Sequence, residues 1–252
     1  MLKEIQPIPK DFTPADKFLE DKVILVTGAA GAIGSAVARA CAQFGAVLVL
    51  LDKNVKGLET CYDEIISARG KTPAIYPLDL IGASEKDYHD MAITIQNELG
   101  RLDAVIHCAA QLGALIPLEH FETELWLKIM HSNLNAPFLL TRACLPLLKQ
   151  QQASIIFTTD KTGRQGKAYW GAYAVANAGL ENLVQVMADE LQGNTNINVC
   201  SLDPGEIRSA LHALAYPGKT ANTLTDANDI SYAYLYLLSE AGRRYSGQPF
   251  AV

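Results

Sequence analysis

Short apolar runs alternate along the chain with longer stretches in which apolar residues recur at helical spacing. The short runs are rich in β-branched residues and predict buried strands. They lie at about 22–28, 46–52, 72–78, 103–109, 153–159 and 197–203, with a final short strand in QPFAV. The helical stretches lie at about 32–45, 54–69, 84–99, 122–149, 168–192 and 227–240. Strands that are apolar throughout and separated by helices predict an α/β fold: a doubly wound, seven-stranded parallel sheet with helices on both faces.

The first twenty residues differ from the rest in being polar and dotted with prolines. They are interpreted as an N-terminal arm at 1–20. No linker or shift in composition divides 21–252, so this part is expected to form one domain. In such a sheet, ligands bind at the carboxyl ends of the strands, where the strand order reverses.

A glycine-rich turn, TGAAGAIG at 27–34, joins the first predicted strand to the first helix. A tight turn, a close backbone approach to a pyrophosphate and tight helix–strand packing all require small residues there, while the helix N-terminus faces the phosphates. The turn therefore predicts a Rossmann-type dinucleotide-binding domain. Its expected cofactor contacts are Thr27, Gly28, Gly31, Ala32, Ile33 and Gly34. The alternative is a helix start that needs small residues only for packing.

Two acidic residues at strand ends are candidates for the adenosine half of the cofactor. Asp52 ends the second strand, 24 residues after Gly28, where a carboxylate accepts hydrogen bonds from ribose hydroxyls and repels a 2′-phosphate. The neighbouring Lys53 could instead receive that phosphate, so NAD is favoured and NADP stays open. Asp79 and Leu80, after the third strand, are placed to touch the adenine, although a solvated strand-end aspartate is the alternative for Asp79.

Net charge, apolar runs, cysteines and histidine spacing argue against several classes of partner and site. The net charge of −6 and the lack of any Lys/Arg-rich run argue against a nucleic-acid partner. No apolar run approaches the length of a membrane span, and the N-terminus lacks a signal-peptide core. The five cysteines are scattered, which favours reduced, buried thiols in a cytoplasmic protein. His89, His120 and His212 show no metal-site spacing, so no metal is expected.

Several ordered segments together resemble the short-chain dehydrogenase/reductase family from about residue 20 to the end. They are the glycine turn, LDL at 78–80, HCAA at 107–110, NLNAPF at 133–138, IIFTTDKTGRQG leading into WGAYAVANAG, and LDPGEIRS at 202–209. The interval GRQGKAYWGAY also resembles a group of bacterial short-chain oxidoreductases of unassigned substrate. The resemblance implies hydride transfer between a nicotinamide and a carbonyl or alcohol. It adds Cys108, Ala109, Ala110, Pro204 and Gly205 to the expected cofactor contacts.

The resemblance also assigns the catalytic positions. Tyr173 is the expected acid/base, and Asn133 the asparagine that helps to hold a water relay. The position of the family's serine is occupied by Asp160, and that of its lysine by Asn177. Asparagine carries no charge that would favour an ionised phenol, and an ionised aspartate cannot donate to a substrate oxygen and raises the tyrosine pKa. Ordinary carbonyl reduction is therefore not expected.

Three interpretations of the function stay open, of which the third is that only the fold is kept and neither cofactor nor substrate is bound. The first is an NAD(P)-binding protein whose catalytic site is degraded and which serves a regulatory or scaffold role. The second is a working NAD(P)-dependent oxidoreductase on an unknown carbonyl or alcohol, using Tyr173 with Lys161 as a displaced cation, a protonated Asp160, or a cationic substrate. The two long helices at about 122–149 and 168–192 commonly pair across a two-fold axis in the family, so a homodimer or homotetramer is expected.

Overall fold

The computed structural model describes residues 3–252 of the chain. Its strands are β1 (Gln6–Pro7), β2 (Val23–Thr27), β3 (Val47–Asp52), β4 (Ala74–Pro77), β5 (Ala104–His107), β6 (Ser154–Thr158), β7 (Asn198–Asp203) and β8 (Pro249–Ala251). All of them lie in one parallel sheet, in the order β1-β8-β7-β6-β5-β2-β3-β4. The predicted α/β, Rossmann-type fold is confirmed, with eight strands rather than seven.

Helices cover both faces of this sheet. They are α1 (Ala32–Gln43), α2 (Val55–Ser67), α3 (Glu85–Leu99), α4 (Thr123–Met130), α5 (Ala136–Leu148), α6 (Gly171–Leu191), α7 (Ala210–Ala215) and α8 (Ser231–Leu238). Alternate residues of β2 belong to opposite cores: Ile24 packs with α1, α2 and α8, whereas Leu25 packs with α3, α5 and α6. Burial on both faces explains why residues 23–26 of this strand are all apolar.

The additional strand comes from the segment that was interpreted as an arm. Gln6 pairs with Phe250 in the parallel β1–β8 contact, and Ile8 and Leu19 are buried in the core beside α1 and α8. A two-residue strand is too short to show an alternation of apolar and polar residues, so the sequence pattern could not reveal it. Residues 1 and 2 of the predicted arm lie outside the described residues.

The long predicted helix at 122–149 contains an irregular turn. Residues His131–Asn135 form a π-helical turn between α4 and α5. Such turns add one residue to a helical repeat and often occur at functional sites. The predicted helix at 227–240 is also shorter, because a 3₁₀ turn at Ala227–Ile230 precedes α8. The six-residue α7 was not predicted, since so short an element has little periodicity.

The strand order reverses at β2, which lies between β3 and β5. The carboxyl ends of β2, β5, β6 and β7 therefore meet at one edge of the sheet, where a doubly wound fold binds its ligands. The glycine turn follows β2 at this edge.

Two further expectations concern the burial of the cysteine thiols and the length of the apolar segments. Four of the cysteines are buried, Cys108 is partly buried, and all five are free thiols. No helix within residues 3–252 combines the length and the apolar character needed to cross a bilayer.

Asp103, just before β5, is a buried carboxylate that joins the start of two strands. It accepts hydrogen bonds from the Val23 amide at 3.0 Å and from Arg101 at 2.7 and 2.8 Å, and pairs with Lys22 at 3.2 Å. Burial alone would raise its pKa, but these partners outweigh burial and hold the pKa below its usual value.

We expect Asp103→Asn to lower the free energy of unfolding by about 2 kcal/mol at pH 7, because the charged hydrogen bonds are lost. Since the folded-state pKa is lowered, the stability that Asp103 contributes is fully present above its unfolded pKa of about 4 and is lost as the pH falls below it. Urea unfolding at pH 7 and pH 3 measures both. An equal loss at the two pH values would contradict this assignment.

Candidate functional site

A cavity of about 270 Å³ opens at the carboxyl edge of the sheet. Its walls come from the glycine turn, the segment after β5, the ends of β6 and β7, and the first turns of α6 and α7. A second cavity, of about 180 Å³, continues from the glycine turn towards the end of β3. The two share the backbone of Gly28 and Gly31, so together they form one elongated cleft across the switch point of the sheet.

The glycine turn is shaped by close backbone contacts. Gly28 has a φ of 69°, and a Cβ there would lie 2.7 Å from the Ala109 nitrogen. A Cβ on Gly34 would lie 2.2 Å from the Gly28 oxygen. Only glycine fits at these two positions, which holds the turn tight. Helix α1 then begins after Gly31 without any side-chain cap, so its first amides are free to face an anion.

Of the six predicted contacts in this turn, five line the cleft: Gly28, Gly31, Ala32, Ile33 and Gly34. Thr27 does not. Its side chain is buried behind the turn, and its Oγ1 accepts hydrogen bonds from the amides of Cys108 at 3.2 Å and Ala109 at 3.3 Å. Thr27 therefore joins β2 to the segment after β5 and acts on the cleft through the backbone.

The second cavity brings together the residues that were predicted for the adenosine half: Asp52, Lys53, Asp79 and Leu80. The Asp52 carboxylate accepts from the amides of Asn54 at 2.9 Å and Ala30 at 3.3 Å. These bonds hold the carboxylate at the end of β3, on the cleft. Asp79 accepts from the Ile81 amide at 3.1 Å, as in an Asx turn.

The segment after β5 and the turn after β7 also line the cleft, as predicted for Cys108, Ala109, Ala110, Pro204 and Gly205. Burial raises the pKa of the Cys108 thiol to about 12, so the thiol is uncharged at neutral pH. The backbone around these residues, rather than a reactive side chain, forms the wall.

Asn133 lies in the π-helical turn and is fully engaged with a neighbouring segment. Its Nδ2 donates to the Gln111 carbonyl at 2.7 Å, and its Oδ1 accepts from the Gln111 amide at 2.9 Å. Ser132 Oγ donates to the same Oδ1 at 2.8 Å. The side chain thus fixes the loop after β5 against α4 and α5.

Tyr173 and Asn177 lie one turn apart on α6, and both line the cavity. The Asn177 Nδ2 donates to the backbone carbonyl of Tyr173 at 2.9 Å. Burial raises the pKa of the Tyr173 hydroxyl well above its usual value, the carboxylate of Asp160 raises it further, and the Asn177 amide only partly opposes them. The phenol is therefore protonated throughout the physiological range.

Asp160 follows β6 and faces the same cavity. Its Oδ1 accepts from the Thr162 amide at 2.7 Å, which fixes the carboxylate at the start of the next turn. Lys161, the candidate for a displaced cation, is 61% exposed and lies 3.5 Å from the Glu206 carboxylate. An exposed pair of this kind is weak, so Lys161 remains able to move.

A buried ionic cluster that the sequence did not reveal borders the cavity through Asp203. The Arg164 guanidinium donates to Glu181 at 2.7 Å and to Asp203. Glu181 also accepts from Thr159 Oγ1 at 2.7 Å and Ser201 Oγ at 2.8 Å. The sequence feature that could have indicated this cluster is the four-residue spacing of Tyr173, Asn177 and Glu181. This spacing places a charged residue on the buried face of α6, and a buried charge requires a partner.

The outer part of the cavity is aromatic. The rings of Trp170 and Tyr173 are 5.7 Å apart, those of Trp170 and Tyr216 5.7 Å, and those of Tyr216 and His212 4.9 Å. In the sequence, His212 was considered only as a possible metal ligand. Within residues 3–252, no group of three or more His, Cys, Asp or Glu side chains is arranged to hold a metal ion.

Comparison with known proteins agrees with this geometry. The sequence model of the family described as short chain dehydrogenase matches residues 22–219. The chain belongs to the short chain dehydrogenase family. It is 37% identical over 240 residues to the uncharacterized oxidoreductase YciK of Escherichia coli K12, which covers 95% of this chain and 94% of the relative. The predicted resemblance is confirmed, and the chain is a member of an oxidoreductase family.

Two solved structures illustrate the likeness. A short chain dehydrogenase from Pseudomonas syringae is 41% identical, with a TM-score of 0.93 over 96% of this chain and 98% of that one. Another, from Shigella flexneri 2a and complexed with NADP, is 36% identical, with a TM-score of 0.91 over 94% of this chain and 99% of that one. The prediction of a nicotinamide dinucleotide is thus confirmed at the level of the family, which is NAD(P)-binding.

The residues of this chain fit such a cofactor. The uncapped amides of α1 and the side-chain-free backbone at Gly31 suit the pyrophosphate, and the Asp52 carboxylate suits a ribose diol. When bound, the nicotinamide supplies or accepts a hydride. The chain's own residues at that end offer a protonated phenol at Tyr173, a carboxylate at Asp160 and a neutral amide at Asn177.

Proposed function

We propose that this chain is a nicotinamide-nucleotide-binding protein of the short chain dehydrogenase family in which tyrosine-based proton transfer has been lost. The observation that carries the proposal is the surroundings of Tyr173: a buried phenol faces the Asp160 carboxylate, and the side chain one turn later is an amide that donates to the helix backbone. A phenol with a raised pKa and no adjacent ammonium is a poor acid for a developing alkoxide. The protein then acts by binding the nucleotide, in a regulatory or scaffold role.

Nucleotide titration combined with a turnover assay tests this function. We expect NADH or NADPH to raise the melting temperature and quench the fluorescence of Trp170. Oxidation of either nucleotide with a panel of aldehydes and ketones should not exceed that of the Tyr173→Phe variant. Turnover that is at least about tenfold faster than in Tyr173→Phe would contradict the proposal, because the phenol would then contribute to the barrier.

The second candidate function is an active oxidoreductase in which Lys161 replaces the missing cation. It is favoured by the position of Lys161, which lines the same cavity and is held only by an exposed pair with Glu206. In that case Lys161→Ala and Tyr173→Phe should abolish turnover equally, whereas Lys219→Ala, which removes the other ammonium paired with Glu206, should not.

We propose NAD as the preferred nucleotide, because the Asp52 carboxylate would repel a 2′-phosphate. NADH is expected to bind about tenfold more tightly than NADPH, which is about 1.4 kcal/mol. Asp52→Ser should remove most of this difference, and Lys53→Ala should weaken NADPH alone. Isothermal titration of the three chains measures these affinities. Tighter binding of NADPH by the unaltered chain would show that Lys53 outweighs Asp52.

We also propose that the chain forms a dimer or tetramer through α5 and α6. Val175 and Val186, three turns apart on one face of α6, and Phe138 on α5 are exposed apolar side chains. Light scattering at micromolar concentration should give at least twice the 27.3 kDa chain mass. Val186→Glu should shift the mass towards the monomer, while Ile93→Glu, on α3, should not. A monomeric unaltered chain would contradict the proposal. The cytoplasmic location and the absence of nucleic-acid and membrane partners stay predictions.

A further inference from the structure

His212 is a buried side chain without a hydrogen-bond partner. It is 7% exposed, lies on α7 and lines the same cavity as Tyr173. Within the described part of the chain, neither of its ring nitrogens has a hydrogen-bond partner. Buried polar groups have hydrogen-bond partners in the great majority of cases. A group that enters the cavity is therefore needed to hydrogen-bond to the His212 ring.

The ring system around His212 favours a flat ligand. His212, Tyr216, Trp170 and Tyr173 follow one another at centroid distances of 4.9, 5.7 and 5.7 Å. Aromatic faces bind planar apolar groups by stacking. The Lys167 ammonium already lies 5.4 Å from the Trp170 ring centroid and 5.2 Å from that of Tyr216, so these rings contribute stacking rather than a site for the ligand's charge. The imidazole at one end of this wall and the phenol at the other provide two polar groups, as in most small-molecule sites.

The charge of the cavity favours a cation. Three carboxylates, those of Asp160, Asp203 and Glu206, and one ammonium, that of Lys161, line it. Asp203 pairs with Arg164, and Glu206 pairs with Lys161 and Lys219. Among residues 3–252, Asp160 has no such ion-pair partner, and its single hydrogen bond comes from the Thr162 amide. An unpaired carboxylate in a partly dry cavity attracts an ammonium and repels a carboxylate.

We propose that His212 is the polar anchor of this cavity, and that the cavity takes a compact planar compound carrying an amine, with the amine directed to Asp160. The proposal names the ligand class of the site described above. It does not depend on the loss of tyrosine-based proton transfer.

Three matched probes test the ligand class: benzylamine, benzyl alcohol and benzoate, which differ mainly in charge. Titrations are followed in the ¹H–¹³C spectrum of the imidazole groups, since the chain has five histidines and His212→Phe assigns the one of interest. The His212 signal should shift on binding of benzylamine. Benzylamine should bind at least about tenfold more tightly than benzoate, with benzyl alcohol in between.

Substitutions of His212 and Asp160 test the contact of the ligand with the imidazole and its contact with the carboxylate separately. His212→Phe, which keeps a ring against Tyr216, should weaken benzylamine and benzyl alcohol at least about fivefold. Asp160→Asn should remove the advantage of benzylamine and leave benzyl alcohol unchanged. His89→Phe, which replaces an exposed histidine on α3, is the matched control and should change nothing. If His212→Phe does not fold, His212→Leu, which also removes every hydrogen-bonding group of the side chain, provides the same comparison.

Three results would overturn the proposal: benzoate binding as tightly as benzylamine, His212→Phe binding all probes like the unaltered chain, or no shift with any probe up to about 10 mM, which indicates that water alone satisfies the ring. The titrations are done without nucleotide. Failure of nucleotide binding or discovery of turnover therefore counts against the proposed function alone, and failure of probe binding counts against this inference alone.

Discussion

A chain carrying Asp160→Ser and Asn177→Lys reduces a simple ketone with NADH or NADPH at least about 10²-fold faster than the unaltered chain; this is the result that we expect from restoring the two altered positions. The serine would add a hydroxyl donor where Asp160 offers only acceptors. The lysine would place an ammonium one turn from Tyr173, where Asn177 now bonds to the helix backbone. Both changes favour the anion that develops on the substrate oxygen.

The same double variant should also lower the pKa of Tyr173. Burial and Asp160 raise that pKa in the unaltered chain; removing the carboxylate and adding a nearby ammonium act in the opposite direction. The ultraviolet difference between the double variant and its Tyr173→Phe counterpart should show one additional phenol ionising between about pH 7 and 10. This measurement needs no substrate, so it remains informative if the ketones chosen do not fit the cavity.

Single variants and one control show which substitution causes the gain in rate. Asp160→Ser alone and Asn177→Lys alone should each give only part of the gain, because each supplies one of the two effects. Adding Tyr173→Phe to the double variant should return the rate to that of the unaltered chain. A double variant that ionises Tyr173 at lower pH and still fails to turn over would show that another feature of the cavity blocks the chemistry.

The fold could be predicted largely because the sheet is buried on both faces. Residues 23–26 are all apolar since Ile24 and Leu25 face different cores, and that burial is visible in the sequence as a continuous apolar run. The strand Gln6–Pro7 was missed because two residues carry no period. Its pairing with Phe250 depends on residues more than 240 positions away, which a local pattern cannot show.

The candidate site could be predicted where its backbone makes the contact. Gly28 and Gly34 are glycines because a Cβ would collide with the neighbouring backbone. This requirement is visible in the sequence as the spacing of the glycines. Thr27 was placed in the cleft by its position in that motif, yet its side chain bonds to the amides of the segment after β5. The position of His212 on the cavity was not predicted, because a lone histidine on a six-residue helix gives no pattern.

Arg164→Met is expected to lower the free energy of unfolding by about 3–5 kcal/mol, the largest effect on stability that we expect from a single substitution. Arg164 is 11% exposed and bonds to Glu181 and Asp203, whose side chains are 5% and 9% exposed. Methionine fills a similar volume but leaves two buried carboxylates without a cation. Urea unfolding at pH 7 measures the loss.

A matched variant separates burial from charge. Arg39→Met also breaks an arginine–carboxylate pair, with Glu64 at 2.7 Å, but those side chains are 27% and 47% exposed. Its loss should be below about 1 kcal/mol, because water screens the pair and solvates the remaining carboxylate. Equal losses for Arg164→Met and Arg39→Met would contradict the argument from burial.

The pH dependence of the stability lost in Arg164→Met provides an independent test of the same argument. Burial already raises the pKa of Asp203 while Arg164 lowers it, so removing the guanidinium should raise the pKa of Asp203 in the folded state further above its unfolded value of about 4. The folded state then binds more protons than the unfolded state between those values. The deficit of Arg164→Met should therefore shrink as the pH falls from 7 towards 5. Arg164→Met combined with Asp203→Asn should lose this pH dependence, because the carboxylate that takes up the proton is then absent.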